Sequence, residues 1–495
     1  MNFSLLKHKK DSYLPAAIII VFAIIYALIS LVNHYLFRTA ALDLGINTHA
    51  VYCYSRFMPS YYTLSYGGSE INFLGDHFSP IMFLYVPFYY LFGSYTLLLI
   101  QIAAILSGGY GIYKYSLIYF KDNTIPLLIM LHFFGIWGIF SALAFDFHNN
   151  VIAAMLVPWL FYFYKKEKYG IFMIFFLLII FSKENMILWM VFLIAGIIFT
   201  KKERKFSRII KFEIPLIIFS IIMFVLVMKV IMPYFTTEHV KGQLYRYSYL
   251  GGSLSEIIWT IIHKPLYILN LFYKNQLGNP FYDGIKNEFY LVLLFSGGLA
   301  LLLRPAYLLM LIPIFAQKML SSSYGNWGIN GQYSIEIVPI ISLALIDFLS
   351  GIKNLNVGKG IIVFVIISTF IVDYKVFEDR KSLWYDKVNT VFYEKEHYDT
   401  DLNIKAIYAK LKDIPDDVTI SVGSALAPHL FRRKKIYLFP NVKDAEYIVL
   451  LYGNDKFTFP LKKDKFREKV SYYTTEGGFE KIYNQNKLMI LKRLH

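Results

Sequence analysis

The residues best suited to chemistry lie in one polar loop between two apolar segments. This loop, residues 38–80, carries Asp43 and the adjacent pair Asp76 and His77. Carboxylates and imidazoles can move protons or hold a phosphate or a divalent cation. Two carboxylates and one imidazole are too few to specify a metal, so a divalent metal stays an open alternative. A loop of this length is more often functional than a plain connector.

Two further pairs of ionisable residues follow apolar segments. Asp146 and His148 lie in the turn AFDFHNN, and Lys183 and Glu184 are adjacent in SKEN. An aspartate can act as a general base, and a histidine or a lysine can hold an anion. These pairs are therefore candidates to act together with the polar loop.

Each candidate also has a structural interpretation. Asp43 in DLGI is an acceptable N-cap for a loop helix. The Asp–His pairs could be hydrogen-bond clusters without a further role, and Lys183 could extend its amine to the bilayer interface. Arg56 and Arg246 are weaker candidates for binding a phosphate. The sequence leaves these alternatives open.

The composition sets the class of protein. The chain has 495 residues, of which 57% are hydrophobic and 17% are charged, and its mean hydropathy is +0.47. A soluble protein of this size carries far more charge, so the sequence predicts an α-helical polytopic membrane protein. The net charge of +16 does not indicate nucleic-acid binding, because the cations cluster at the ends of apolar segments. The single cysteine, Cys53, excludes an internal disulfide.

The apolar segments predict about eleven transmembrane helices. Segment 81–92 is apolar but too short to cross a bilayer, and it is predicted to be a juxtamembrane or re-entrant helix. Segment 255–275 has a His-Lys-Pro sequence at its centre and is predicted to lie at the interface. The predicted spans are 14–37, 95–118, 124–143, 151–164, 169–181, 186–199, 209–232, 289–303, 306–320, 335–349 and 360–374.

The distribution of lysine and arginine orients these helices. With the N-terminus in the cytoplasm and segment 81–92 not crossing the bilayer, every lysine-rich junction falls on the cytoplasmic side, as the positive-inside rule requires. The polar loop and the two later pairs then share the opposite face. The cytoplasmic cations are Lys114, Lys121, Lys165, Lys166, Lys168, Lys201, Lys202, Arg204, Lys205, Arg208 and Lys211.

From about residue 375 the composition becomes that of a soluble domain. The helical pattern of LNIKAIYAKLKDIP alternates with strand-like runs such as VTISVGSA and AEYIVLLYG. This alternation predicts a small α/β domain, 375–495, after a transmembrane domain, 1–374. An odd number of spans places the α/β domain outside the cytoplasm, where we expect a lid or a recognition domain.

Several motifs in succession resemble a known membrane-protein family, domain of unknown function 2079. They are DLGI with a downstream HFSPIMFLYVPFYYLFGS, then FDFHNNVIAAMLVPWLF, then FSKENMILWMVFLIAG, and near the C-terminus SVGSALAPHLFRRKKIYLFPNVKDAEYIVL. The resemblance covers nearly the whole chain. One departure is that Asn149 and Asn150 follow His148 where Pro-Glu is expected.

That family is related to the GT-C membrane glycosyltransferases, so the resemblance implies a GT-C-like fold. GT-C enzymes have a catalytic aspartate in a long first outer loop and take a sugar from a polyprenyl-phosphate-linked donor. The resemblance implies the same donor here, and inverting transfer on the extracytoplasmic face. Asp43 is the implied general base, with Asp76 and Asp146 as alternatives. Ligands of the substrate or its phosphate are expected among His77, His148, Lys183, Glu184, Arg56 and Arg246.

The alternative function is a transporter or flippase of a lipid-linked or anionic solute. Such a transporter is expected to show internal repeats and charged residues near mid-span. The sequence shows no internal repeat, and its ionisable residues gather at one face instead of lying near mid-span. A structural membrane protein is a third interpretation. The cell membrane is the expected location and membrane lipid an expected partner, while the sugar and the acceptor are not predicted.

Overall fold

The computed structural model describes residues 3–200, 206–236 and 243–494. Four of the predicted cytoplasmic cations, Lys201, Lys202, Arg204 and Lys205, lie outside the described residues. Three ionisable residues of the predicted outer segment 233–287 also lie outside them: Glu238, His239 and Lys241.

Helices form most of the described chain, and seven short strands accompany them. The first helices are α1 (Phe3–Tyr35), α2 (Ile46–Ser55), α3 (Phe73–Asp76), α4 (Val86–Phe92), α5 (Thr96–Ser116), α6 (Thr124–Gly135), α7 (Trp137–Leu143), α8 (Asn149–Lys165), α9 (Tyr169–Ile180) and α10 (Glu184–Thr200). The next are α11 (Phe206–Arg208), α12 (Ile214–Leu226), α13 (Met232–Phe235), α14 (Leu254–His263), α15 (Pro265–Tyr273), α16 (Ile285–Leu293), α17 (Leu299–Leu303), α18 (Pro305–Met319), α19 (Ile337–Ser350), α20 (Leu355–Glu378), α21 (Lys387–Thr390), α22 (Ile404–Leu411) and α23 (Lys463–Thr475). The strands are β1 (Tyr61–Tyr62), β2 (Ile71–Asn72), β3 (Ile420–Val422), β4 (Ile436–Leu438), β5 (Tyr447–Leu451), β6 (Phe479–Gln485) and β7 (Leu488–Arg493).

The apolar segments that predict spans are helical, but the helices differ in length. In the described part of the chain, five helices are long and apolar enough to cross a bilayer: Tyr13–Tyr35, Pro80–Ser116, Phe206–Phe235, Pro280–Leu303 and Leu355–Glu378. The pair α6 and α7, bent by 42°, is a sixth candidate. The apolar helices α9, α10, α18 and α19 have 12 to 17 residues, fewer than the about 20 of a typical span. A helical membrane protein is confirmed, and the number of eleven spans stays a prediction.

Small residues let the central helices pack closely. α5 lies against α8, and a Cβ atom at Gly108 would come within 3.1 Å of the Met155 carbonyl oxygen. α10 lies against α18, where a Cβ atom at Gly196 would come within 2.9 Å of the Ala306 carbonyl oxygen. Close backbone approach at small residues is a common way for helices to associate in lipid. These contacts fix α8 and α10, and with them His148, the N-cap residue of α8, and Glu184, the first residue of α10.

Segment 81–92 forms short helical pieces ahead of α5. A 3₁₀ turn, Pro80–Tyr85, leads into α4, and α4 ends at Gly93. The φ of Gly93 is +55°, a value that favours glycine, so the chain turns there before α5 begins. The Ile81 amide donates to the Phe181 carbonyl at 3.0 Å, which docks this segment at the end of α9.

The prediction of one continuous interfacial helix over segment 255–275 is wrong. It forms α14 and α15, because Lys264 leaves helical geometry and Pro265 opens the second helix. A proline lacks the N–H that an uninterrupted helix needs but is tolerated in the first turn. Both helices expose apolar side chains, including Trp259 and Leu266.

The C-terminal region contains the predicted strands, joined in one five-stranded sheet. The strand order is β4-β3-β5-β7-β6, in which β3 is parallel to β4 and β5, and β7 is antiparallel to β5 and β6. Phe466 of α23 packs with Leu450 on one face of the sheet, and Ile407 of α22 packs with Val449 on the other. The expected small α/β architecture is present.

The sheet and the first loop share one hydrophobic core. Leu44 of the loop belongs to the same buried cluster as Val422 of β3. Thr63 Oγ1 in the loop donates to the Ile436 carbonyl of β4 at 2.8 Å. Because these two regions are in contact, they lie on the same side of any bilayer that the helices cross.

Candidate functional site

Asp43 lies in a short π-helical turn at the start of the first loop. The turn Ala41–Gly45 precedes α2, and the Ala41 amide donates to Ser424 Oγ of the C-terminal region at 3.1 Å. Asp43 Oδ1 lies 3.1 Å from His148 Nε2, and the Asp43 side chain is 31% exposed. The side chain therefore pairs with a histidine and does not cap α2, whose N-terminus has no side-chain cap.

Gln101 of α5 fixes the turn that carries Asp146 and His148. Its Nε2 donates to the Asp146 carbonyl at 2.8 Å, and its Oε1 accepts from the His148 amide at 3.0 Å. The His148 ring stacks on Phe145, with ring centres 5.5 Å apart. Gln101 is fully buried in an apolar helix, where a side-chain amide needs partners. The two hydrogen bonds of Gln101 and the stack on Phe145 hold the His148 ring toward Asp43.

Asp146 is the buried carboxylate of this group. Its φ is +62°, and its Oδ2 accepts from the Ala40 amide at 2.7 Å. Burial, together with the charge of Asp43, raises the pKa of Asp146 to about 8. Burial lowers the pKa of His148, although Asp43 opposes this effect. These shifts favour the protonated form of Asp146 and the neutral form of His148.

Asp76, His77 and Glu184 form a second group, with the histidine between two carboxylates. His77 Nδ1 lies 3.4 Å from Glu184 Oε1, and His77 Nε2 lies 3.9 Å from Asp76 Oδ2. The Tyr62 hydroxyl donates to Asp76 Oδ2 at 2.8 Å, and the Phe78 amide donates to Glu184 Oε2 at 3.2 Å. Burial acts to lower the pKa of His77, but the two carboxylates outweigh it and raise the pKa. The charged side chains of this group are therefore paired with one another.

Lys183 lies near both groups. It is close enough to His77 and to His148 for its charge to lower the pKa of each ring. Its side chain is partly buried. Within the described ranges its amine forms no hydrogen bond or ion pair. An ammonium group without a direct counter-ion beside perturbed histidines is a candidate ligand for an anion.

The two arginine candidates have different positions. Tyr333 is within electrostatic range of both Arg246 and Asp43, so Arg246 lies at the edge of the site. Arg56 follows the far end of α2, about 20 Å from Asp43 at 1.5 Å of rise per residue. Its guanidinium lies 6.0 Å from the centre of the Tyr52 ring. The length of α2 therefore places Arg56 away from Asp43.

Some residues of the site have no motif in the sequence. Glu336 is buried at the start of α19 and accepts a hydrogen bond from Asn150 Nδ2 at 2.8 Å. Asn150 departs from the expected family pattern, and a glutamate in its place would face Glu336 directly. Gln101 and Tyr62 are two further residues of the site that no sequence motif indicates. The signal for Glu336 and Gln101 is a polar residue in an apolar segment, because such a residue needs a partner in lipid.

The geometry of the described side chains adds no metal ligand set. Across residues 3–200, 206–236 and 243–494, no three or more His, Cys, Asp or Glu residues are arranged to hold a metal ion. Cys53 is a free, buried cysteine.

Comparison with known protein families gives a match over most of the chain. The family described as predicted membrane protein (DUF2079) matches residues 33–488. This range contains the first loop, both groups of ionisable side chains and four of the five strands of the C-terminal sheet. No curated protein matches the sequence. The chain therefore belongs to the membrane-protein family DUF2079.

Proposed function

We propose that this protein is a membrane glycosyltransferase that transfers a sugar, with inversion, from a polyprenyl-phosphate-linked donor to an acceptor on the extracytoplasmic face. One observation carries the proposal: an accessible carboxylate, Asp43, pairs with His148, whose pKa the charge of Lys183 lowers, and the buried carboxyl group of Asp146 has a raised pKa beside them. Inverting transfer needs a carboxylate to accept the acceptor's proton and cations to hold the leaving phosphate. Both kinds of group are present here.

Asp43 is better suited than the other two aspartates to accept a proton. Asp146 is buried and holds its own proton at neutral pH. Asp76 accepts from Tyr62 and faces His77. Asp43 is 31% exposed, so an acceptor hydroxyl can come within hydrogen-bond reach, which a general base requires. We assign the base to Asp43 and a supporting role to Asp146, while Asp76 belongs to the paired second group.

His148 is proposed to position Asp43. Because burial keeps the imidazole neutral, Nε2–H can donate to Asp43 Oδ1, and Gln101 and Phe145 hold the ring in that orientation. A neutral donor orients the carboxylate without giving it a proton. The direction of the Asp43 side chain is then set by α5 and by the turn before α8.

Lys183 is proposed to hold the leaving phosphate, with Arg246 as a second cation at the edge of the site. Charge-assisted hydrogen bonds to phosphate are about twice as strong as neutral ones. Glu184, the next residue, is occupied by His77 and by the Phe78 amide. Negative charge grows on the phosphate as the glycosidic bond breaks, so a nearby cation stabilises the transition state.

The proposed topology has about eleven spans, a cytoplasmic N-terminus and an extracytoplasmic region 375–495. The distribution of lysine and the contact between the sheet and the first loop support it. Labelling of single cysteines at positions 66 and 166, in a Cys53→Ser background, tests it, because Tyr66 and Lys166 are both exposed. A membrane-impermeant maleimide should label position 66 in intact cells and position 166 only after permeabilisation. Labelling of both in intact cells would contradict the topology.

The activity itself is tested with purified protein in proteoliposomes. The donor is a polyprenyl-phosphate monosaccharide with a radiolabelled sugar, and a lipid and glycan extract of the source cells supplies the acceptor. Transfer of label and release of polyprenyl phosphate, both lost in Asp43→Asn, would support the proposal. A protein that binds no lipid-phosphate sugar would overturn it. Movement of an intact donor between leaflets would instead identify a flippase.

A further inference from the structure

The proposed site does not account for the exposure of one phenylalanine, Phe57. Phe57 follows α2, its side chain is 99% exposed, and its φ is +57°. At the end of a helix this left-handed conformation is usually occupied by glycine, because a Cβ atom disfavours it. Full exposure and backbone strain in one large apolar residue indicate that its ring has a contact in the working protein.

A second phenylalanine in the same structural position shows what such a contact can be. Phe37 also stands two residues after a helix, α1, and also has a φ of +57°. Its side chain is only 1% exposed, because it packs against Tyr408 and His429 of the C-terminal region. Protein covers the ring at position 37, whereas no described residue covers the ring at position 57.

Phe57 is tied to the segment that leads into a candidate membrane span. The Tyr90 hydroxyl of α4 donates to the Ser55 carbonyl at 2.7 Å, which joins α4 to the end of α2. α4 and α5 both belong to the candidate span Pro80–Ser116. Tyr90 and Leu91 of α4 are 66% and 74% exposed. Phe57 therefore lies two residues beyond the point where α2 is joined to α4, whose exposed side chains are apolar and aromatic.

Two arginines flank this surface. The Arg56 guanidinium lies 6.0 Å from the centre of the Tyr52 ring, and the Arg432 guanidinium lies 5.9 Å from the centre of the Tyr89 ring. The two tyrosine rings are 6.4 Å apart, and both arginines are within electrostatic range of Tyr89. Both arginines are exposed, and neither forms an ion pair with a carboxylate within residues 3–200, 206–236 and 243–494. Their charge is available to an anion.

We propose that Arg56, Phe57 and Arg432 form a binding site for anionic phospholipids of the bilayer, in which the Phe57 ring enters the interfacial layer and the two guanidinium groups contact headgroup phosphates. Aromatic rings favour the bilayer interface, and cations near an anionic surface are attracted to it. A guanidinium can also form two parallel hydrogen bonds with one phosphate. The site would anchor the end of α2 that is opposite to Asp43. It does not depend on the transferase reaction.

A fluorescent label at position 57 tests the insertion of the ring. The full chain, with Cys53→Ser and Phe57→Cys, is labelled with an environment-sensitive dye in nanodiscs of phosphatidylcholine and phosphatidylglycerol. We expect blue-shifted emission that is quenched by lipids with a spin label near the headgroup. The control label, at the exposed Lys469 of α23, should show neither effect. Water-like, unquenched emission at position 57 would overturn the proposal.

The choice of lipid tests the two arginines. Quenching at position 57 by spin-labelled phosphatidylglycerol is compared with quenching by spin-labelled phosphatidylcholine. Arg56→Gln and Arg432→Gln should each lower the preference for phosphatidylglycerol by up to about fivefold, and Lys469→Gln should leave it unchanged. Equal quenching by both lipids in the parent chain would overturn the anionic site. Loss of the preference on adding inorganic phosphate would point to free phosphate as the ligand and also overturn it.

A substitution that suits the backbone conformation at position 57 serves as a control for misfolding. Phe57→Gly suits a φ of +57°, so its melting temperature in detergent should equal or exceed that of the parent chain. In nanodiscs the same variant should lose the stabilisation that anionic lipid gives to the parent. Equal stabilisation of both proteins by anionic lipid would contradict a role for the ring.

Discussion

Each of the two groups of ionisable side chains contains one histidine and two carboxyl groups, but the two groups have opposite electrostatic properties. In the first group, Asp43 is accessible, Asp146 is buried with a pKa raised to about 8, and burial lowers the pKa of His148. In the second group, His77 lies between two carboxylates, which outweigh burial and raise its pKa. The first group leaves one carboxylate, Asp43, accessible to solvent, whereas the second is an internal cluster of paired charges.

This difference lies in exposure and pairing, because an aspartate near a histidine can also belong to an internal contact between two elements. The second group joins the segment before α4 to the start of α10, through His77 and Glu184. Its charges are used in that contact. The first group keeps one carboxylate oriented by a neutral ring and open to approach. The following predictions test whether that distinction holds.

The largest effect is expected from Asp43→Asn. Asparagine keeps the size of the side chain but removes its basicity, and loss of a general base typically costs about 10²- to 10⁴-fold in rate. The measurement is the initial rate of sugar transfer, with donor affinity and melting temperature expected to stay near the parent values. Asp76→Asn is the matched control and should keep most of the rate. Equal losses in both variants would remove the distinction between the groups, and normal transfer by Asp43→Asn would remove Asp43 as the base.

A smaller effect is expected from Lys183→Ala, and it should appear in binding. Loss of one hydrogen bond to a charged group costs about 1.5–3 kcal/mol, which corresponds to a roughly 10- to 150-fold weaker Kd for the donor. Lys183→Arg should retain much of the affinity, since the charge is kept. The matched control is Lys264→Ala, at an exposed lysine between α14 and α15. Unchanged donor affinity in Lys183→Ala would exclude this amine as a phosphate ligand.

Asp146→Asn is expected to stabilise the protein, and to do so more strongly as the pH rises. The pKa of Asp146 rises on folding from 3.8 to about 8, so between these values the folded state holds a proton that the unfolded state has lost. The stability of the parent chain therefore falls as the pH rises through this range. Melting temperatures at about pH 5 and about pH 8 should show the larger gain at the higher pH. A gain independent of pH would contradict a buried, protonated Asp146.

The smallest effect is a difference in sign between the two histidines. The pKa of His77 is raised on folding above 6.5, so its contribution to stability is present below pH 6.5 and is lost as the pH rises through the folded-state value. The pKa of His148 is lowered, so the parent chain loses stability as the pH falls below 6.5. The destabilisation caused by His77→Gln should therefore shrink with rising pH, and that caused by His148→Gln should grow. The same trend in both variants would contradict the comparison.

The class of protein and most of its elements follow from the sequence alone. Long apolar segments must become helices in a bilayer, because lipid offers the backbone no other hydrogen-bond partner. The strand-like runs VTISVGSA and AEYIVLLYG contain β3 and β5. The positions at which single residues interrupt a helix were harder to predict. The interface segment 255–275 divides at Lys264 and Pro265, where the local backbone geometry outweighs the apolar pattern.

Which side chains meet was decided only by the tertiary structure. Asp43 and His148 are 105 residues apart in the chain, and His77 and Glu184 are 107 apart, so their contacts depend on how α5, α8, α9 and α10 pack. The separation of Arg56 from Asp43 depends on the length and direction of α2. Burial, which is a property of the packed molecule, sets the pKa of Asp146 and His148 in opposite directions from their ordinary values. The sequence therefore determined the helices and the candidate residues, and packing determined which of them act together.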